Sequence, residues 1–179
     1  MLTDSHMIDG DGDRVDMSYG NVTEKLGTWI VEDLPKGHKA IPCSEVLKIK
    51  HGPDGKIQSY RVQIVAGGHR QVQGVNYTET FSSATKMPTV CAVLANVVEL
   101  DWEVKHIDVK SAYLNAPLKE TVYMHLLQGV LKSGQEGKVL RLLKGLYGLK
   151  QAGRRWYQEM SRVLMGELGF ELFRTSSNC

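Results

Sequence analysis

An α+β fold is the class this sequence predicts, and three observations predict it. Two β-rich runs, Val46–Lys50 and Ile57–Val65, flank a loop dense in turn formers, His51-Gly-Pro-Asp-Gly55. A helical apolar spacing begins after Pro88, and a second helical pattern covers Ala152–Leu168. Only short strands lie between the two. The order is hairpin, helix, strand, short strand, helix, which is not a regular βαβ alternation.

Taken in order, residues 1–26 hold few apolar anchors and repeated Asp and Gly, so they read as an acidic disordered tail, with a domain over 27–179. Asp9-Gly-Asp-Gly-Asp13 invites a calcium-loop reading. It fails, because Arg14 stands where glycine is required and Gly20 where a bidentate glutamate belongs. In the second hairpin strand Arg61, Gln63 and Val65 alternate with Tyr60, Val62 and Ile64, giving one wetter face before Gly67-Gly68 ends the run. Over Thr89–Leu100, Val90, Val93, Leu94, Val97 and Val98 recur at helical intervals despite their β-branching. Val104–Val109 reads as a buried strand and Val122–His125 as another short one. Val139–Leu143 precedes a glycine-punctuated stretch, and the last helix should stop at Gly169.

At 179 residues, 42% of them hydrophobic, the chain is long enough for one domain with a real core. No apolar run approaches the roughly 18 residues that span a bilayer, and the polar start is unlike a signal peptide. Cys43, Cys91 and Cys179 are scattered, with neither a disulfide frame nor zinc spacing, which suits a cytoplasmic or nuclear setting over a secreted one. The net charge of +2 hides an uneven distribution. Acids dominate residues 1–33, whereas Lys36, Lys39, Lys48, Lys50, Lys56, Arg61 and Arg70 dominate 36–75. A second basic stretch runs from Lys132 to Arg162. The two could track a phosphate backbone or simply be solvated surface.

The most informative segment is Val104–Lys119, VKHIDVKSAYLNAPLK. An apolar run reaches a lone acid, Asp108, and turns at once into Lys110-Ser-Ala-Tyr-Leu114. A carboxylate at a strand end can face a site instead of the core, and Tyr113 is placed to wall that site.

Several segments together resemble the reverse transcriptase of copia-type long-terminal-repeat retrotransposons. These are Trp29 with Asp33-Leu-Pro-Lys-Gly37; Lys48-Ile-Lys50, Pro53-Asp-Gly55, Tyr60-Arg61 and Ile64-Val-Ala66; Gly74-Val-Asn-Tyr77, Glu79-Thr-Phe81 and Lys86; Asp108-Val-Lys-Ser-Ala-Tyr-Leu-Asn115 and Val122-Tyr-Met124; and Leu146-Tyr-Gly-Leu-Lys-Gln-Ala152 with Trp156-Tyr157. The likeness runs from about Gly27 to about Phe170. It implies a partial right-hand polymerase, with fingers and an incomplete palm. It also implies a parent that copies an RNA or DNA template–primer from deoxynucleotides with two Mg²⁺ ions, as part of a Pol polyprotein and with no membrane partner.

By that resemblance Asp108 is the first catalytic, metal-binding carboxylate, and the Val109 carbonyl is a further metal and nucleotide contact. Tyr113 is the aromatic gate against a ribose 2′-hydroxyl; on the residues alone it reads as a core aromatic beside Leu114. Arg61 corresponds to a triphosphate-holding cation, or to a solvated strand charge. Tyr147-Gly148 through Gln151 corresponds to the loop and helix start that packs on the nascent base pair, with a plain turn as the competing explanation for Gly148. Trp156 and Tyr157 read as core packing.

The family completes its metal site with a Tyr-x-Asp-Asp hairpin, but no Asp-Asp pair occurs here and Asp108 is the last aspartate. Smaller departures are Ser44-Glu45 for Lys-Trp, Gln63 for a base, Gly67 for lysine, Gly153 for proline, Arg155 for a small residue, and Leu126-Leu-Gln-Gly-Val130 for a proline-rich stretch. The expectation is a fragment ending before that hairpin and inactive alone. The alternatives are a non-catalytic nucleic-acid-binding remnant or the inert product of a decayed element.

Overall fold

The computed structural model describes residues 26–126, 135 and 137–171. The predicted acidic tail (apart from Leu26), most of the Leu126–Val130 departure and Cys179 lie outside these residues, as do the side chains of residues 59–62.

Two sheets organise the described chain. The first is a long antiparallel hairpin, β3 (Cys43–His51) and β4 (Ile57–Ala66), with Cys43 opposite Ala66 and Lys48 opposite Arg61. Its turn is the predicted glycine-rich loop, where Gly55 at φ +78° takes the left-handed conformation that closes it. The second sheet has four strands in the order β1 (Trp29–Glu32), β6 (Val139–Lys144), β5 (Pro117–His125), β2 (Ala40–Ile41). β6 runs antiparallel to both neighbours, and β2 joins β5 in parallel. β5 forms as predicted but starts five residues earlier, and β6 adds a strand over the Val139–Leu143 run that the sequence left unassigned.

The core lies where this sheet meets the hairpin's end and helix α2 (Ala152–Ser161). Ile41, Ile64, Leu114, Val122, Met124, Leu140, Leu142, Leu146 and Leu149 fill it. After α2 a π-helical stretch, Arg162–Glu167, continues the helix to Gly169 at φ +72°. This is the predicted stop.

Two expectations are corrected. Val104–Val109 is not a buried strand: residues 102–109 have no regular structure and are exposed, Ile107 by 80%. A strand needs a hydrogen-bonding neighbour, and among the described residues no strand runs beside this one. Helix α1 (Met87–Glu99) forms as predicted, with Pro88 in its first turn, yet it buries no residue, and Val98 is 82% exposed. Its apolar stripe and the run after it share the same lack of a covering layer. Tyr157 is likewise exposed, not core, and the buried residue of that helical turn is Arg155.

Cys43 at the start of β3 is half-buried. Burial, with the nearby Glu45 carboxylate adding to it, pushes its thiol from 9.0 up to about 11. Thiolate is the reactive species, so Cys43 should alkylate roughly a hundredfold more slowly near pH 8 than an ordinary thiol. Cys91 on α1 is exposed and should label first. Peptide mapping after a short iodoacetamide pulse checks the order. Equal labelling of the two would contradict the burial of Cys43.

Candidate functional site

Asp108 and Val109 stand on the exposed run before a tight turn. Ser111 takes a left-handed backbone at φ 53°, and a 3₁₀ turn, Ala112–Asn115, follows. The Asn115 side-chain amide donates to the carbonyls of Lys110 (3.3 Å) and Ser111 (3.2 Å), tying the turn to itself. Leu114, 1% exposed, anchors it in the core. That leaves Tyr113 half-buried at the surface. The end of β6 crosses directly beneath: the Gly145 N–H donates to the Ala116 carbonyl at 2.8 Å. A Cβ on Gly145 would lie 2.8 Å from the Tyr113 carbonyl oxygen, closer than real side chains approach.

The predicted Tyr147-Gly148 element sits next to this turn. The Tyr113 and Tyr147 rings are 4.8 Å apart between centroids and tilted by 55°, within the range of favourable aromatic pairs. Gly148, at φ +89°, is pressed against the end of β4, where its Cβ would collide with the Ala66 carbonyl. The Ala66 N–H donates to the Tyr147 carbonyl at 2.8 Å. Gly68 meets the same turn from the other side, and its Cβ would strike the Gly148 carbonyl. These glycines are needed because protein backbone packs on protein backbone there.

Tyr113, Tyr147 and Gly148 are therefore brought together. Arg61 is not among them: its backbone lies on β4 five residues before Ala66, roughly 17 Å along the strand. Asp108 and Val109 lie on the exposed run that leads into this turn. Among the described residues no three His, Cys, Asp or Glu side chains converge as metal ligands. A single exposed carboxylate does not fit a two-ion centre, which needs several hard oxygen donors.

Sequence reasoning placed Gln151 in the motif but missed its pairing with Gln71 behind the tyrosines. Gln71 and Gln151 are both buried, at 5% and 0% exposure. Lys150 adds a cation 5.0 Å over the Tyr77 ring. Periodicity carries no signal for such residues, because paired amides are buried through specific hydrogen bonds and not through apolar pattern.

The profile of the reverse transcriptase (RNA-dependent DNA polymerase) family matches residues 26–178. This chain belongs to that family. Its relatives are Pol polyproteins of copia-type elements. It is 36% identical over 144 residues to the retrovirus-related Pol polyprotein from transposon TNT 1-94 of Nicotiana tabacum, covering 80% of this chain and 11% of that protein. It is 33% identical over 170 residues to the Pol polyprotein from transposon RE1 of Arabidopsis thaliana, covering 94% of this chain and 11% of that protein. Transposon Ty1-BL Gag-Pol polyprotein of Saccharomyces cerevisiae is 30% identical over 125 residues. The chain thus spans about a tenth of the length of the plant relatives it matches. No solved structure matches it. As a reverse transcriptase domain it is mixed α and β, and among the described residues no helix is long and apolar enough to cross a membrane.

Proposed function

We propose that this reverse transcriptase chain is the fingers and part of the palm of a retrotransposon RNA-directed DNA polymerase. In the intact parent a primer 3′-hydroxyl would attack the α-phosphate of an incoming deoxynucleotide and pyrophosphate would leave; Mg²⁺, held there only in part by Asp108, would supply charge stabilisation. Asp108 is the one metal carboxylate this chain contributes, with the Val109 carbonyl beside it. Template–primer and the remainder of the Pol polyprotein are the partners. The β3–β4 hairpin is the fingers element, and its Arg61 serves the triphosphate.

The observation that carries the reading is the Tyr113–Tyr147 ring pair, with Tyr113 five residues after Asp108 and Tyr147 next to Gly148. Two tilted rings in contact, beside the buried Leu114, make a wall of the kind that crowding out a ribose 2′-hydroxyl requires. The exposed stripe of α1 and the exposed run through Ile107 favour a chain that does no chemistry by itself. Those surfaces are the ones the remainder of the polyprotein would cover.

The test uses the chain extended with the continuation of the RE1 polyprotein. There Tyr113→Ala should raise ribonucleotide incorporation relative to deoxynucleotide by roughly 10–100-fold, the size of one pocket contact. An unchanged ratio in an extension-competent Tyr113→Ala protein would remove the gate.

A further inference from the structure

Two buried amides join parts of the chain far apart in sequence. Gln71 Nε2 donates to Gln151 Oε1 at 2.9 Å, and Gln71 Oε1 accepts the Lys150 backbone N–H at 2.8 Å. Gln151 Nε2 in turn donates to the Asn76 carbonyl at 2.9 Å. Each bond spans 75 to 80 residues of sequence. Burying an amide is costly unless it is paired, and a fully paired network specifies one arrangement of the segments it joins.

The bonds continue a contact already begun by backbone. The segment after β4 lies along the Tyr147–Gln151 turn for its whole length. Ala66 bonds the Tyr147 carbonyl, Gly68 meets Gly148, and Gln71 takes Lys150 and Gln151. Inside the turn the Leu149 N–H donates to Leu146 and the Ala152 N–H to Leu149, both at 3.2 Å, so it moves as one piece. Its ends are pinned by Ala66 on one side and Gln71 on the other. The Tyr147 ring leaves from the end pinned by Ala66 to rest on Tyr113.

We propose that Gln71 and Gln151 are positioning residues whose amide pair holds the Tyr147 ring on Tyr113, and so sets the shape of the wall that an incoming deoxynucleotide meets. The proposal rests on the gate reading above for its purpose. Both side chains are buried among protein groups. They act through the turn.

The test is made on the full 179-residue chain and needs no nucleotide, so a failed nucleotide titration and a failed clasp are distinguishable. Gln71→Met keeps the length of the side chain and removes both hydrogen-bonding atoms. Nuclear Overhauser cross-peaks between the Tyr113 and Tyr147 rings should be lost in this variant while the rest of the domain keeps its dispersion. Leu142→Ala, a cavity in the sheet away from the clasp, should lower stability yet keep those cross-peaks. Retention of the cross-peaks in folded Gln71→Met overturns the proposal, as does their equal loss in folded Leu142→Ala. Should Gln71→Met not fold, hydrogen exchange in the unmutated chain decides. Protection of the Lys150 amide proton comparable to that of β6 supports the clasp, and exchange as fast as an exposed loop amide overturns it.

Discussion

Glu120→Ala should lower the stability of the fold by about 3–5 kcal/mol, the usual result of stripping one partner from a buried ion pair. Glu120 sits on β5 and grips Arg155 of α2 with both oxygens, Nη2 to Oε1 at 2.6 Å and Nε to Oε2 at 3.2 Å. Each side chain is only 10% exposed. Among the described residues the guanidinium's other side-chain acceptor is Gln158, at 2.8 Å. Without Glu120 a buried cation faces a methyl group. For a domain of this size the loss corresponds to a drop in Tm of roughly 6–20 °C. Replacing both residues together, Glu120→Leu with Arg155→Leu, should be far milder, because no charge is then stranded. Thermal or urea unfolding of the three proteins checks the order. A single-variant loss below about 1 kcal/mol would place the pair among surface bridges instead. The family usually carries a small residue where Arg155 stands, so this ion pair fills that space with a charged contact.

Gly148→Ala should be comparably damaging, for a steric reason. At φ +89° any side chain is strained, by about 1–2 kcal/mol. Here the Cβ would also run into the Ala66 carbonyl and lie 2.7 Å from Val65 Cγ1. Relief requires moving the turn away from β4 and giving up the Ala66–Tyr147 hydrogen bond. A total loss of roughly 3 kcal/mol or more is expected. Gly55 supplies the control: it too has positive φ, at +78°, but open space where a Cβ would go. Gly55→Ala should therefore show the strain alone. Equal losses at the two positions would mean that the crossing of β4 and the turn is looser than described.

The elements legible in the sequence were those whose pattern is local. The β3–β4 hairpin announced itself through alternation and the Gly-Pro-Asp-Gly turn, α1 through apolar spacing after Pro88, and the final helix through its glycine stop. β1 and β2, four and two residues long, carry no such signal, since their pairing with β6 and β5 is a matter of distant partners. Val104–Val109 was misread for the mirror-image reason. Its apolar residues suit a strand, but a strand exists only beside another. Of the candidate site, Tyr113 and Tyr147 could be named from the family likeness, and so could Gly148. That the glycine answers to Ala66 and Gly68 could not, nor could Gln71 and its pairing with Gln151, a residue the same likeness names. Gly67, where lysine is usual, shows the same limit: its Cβ would lie 2.5 Å from the Pro42 ring, a constraint that no single position reveals.

Mg²⁺-dependent primer extension on an RNA template decides whether this chain supplies Asp108 to a centre it does not complete. The 179-residue chain alone should add no nucleotide, the chain joined to the continuation of the RE1 polyprotein should extend the primer, and Asp108→Asn should abolish that extension. Extension by the chain alone, or extension by the joined protein that survives Asp108→Asn, would contradict the account.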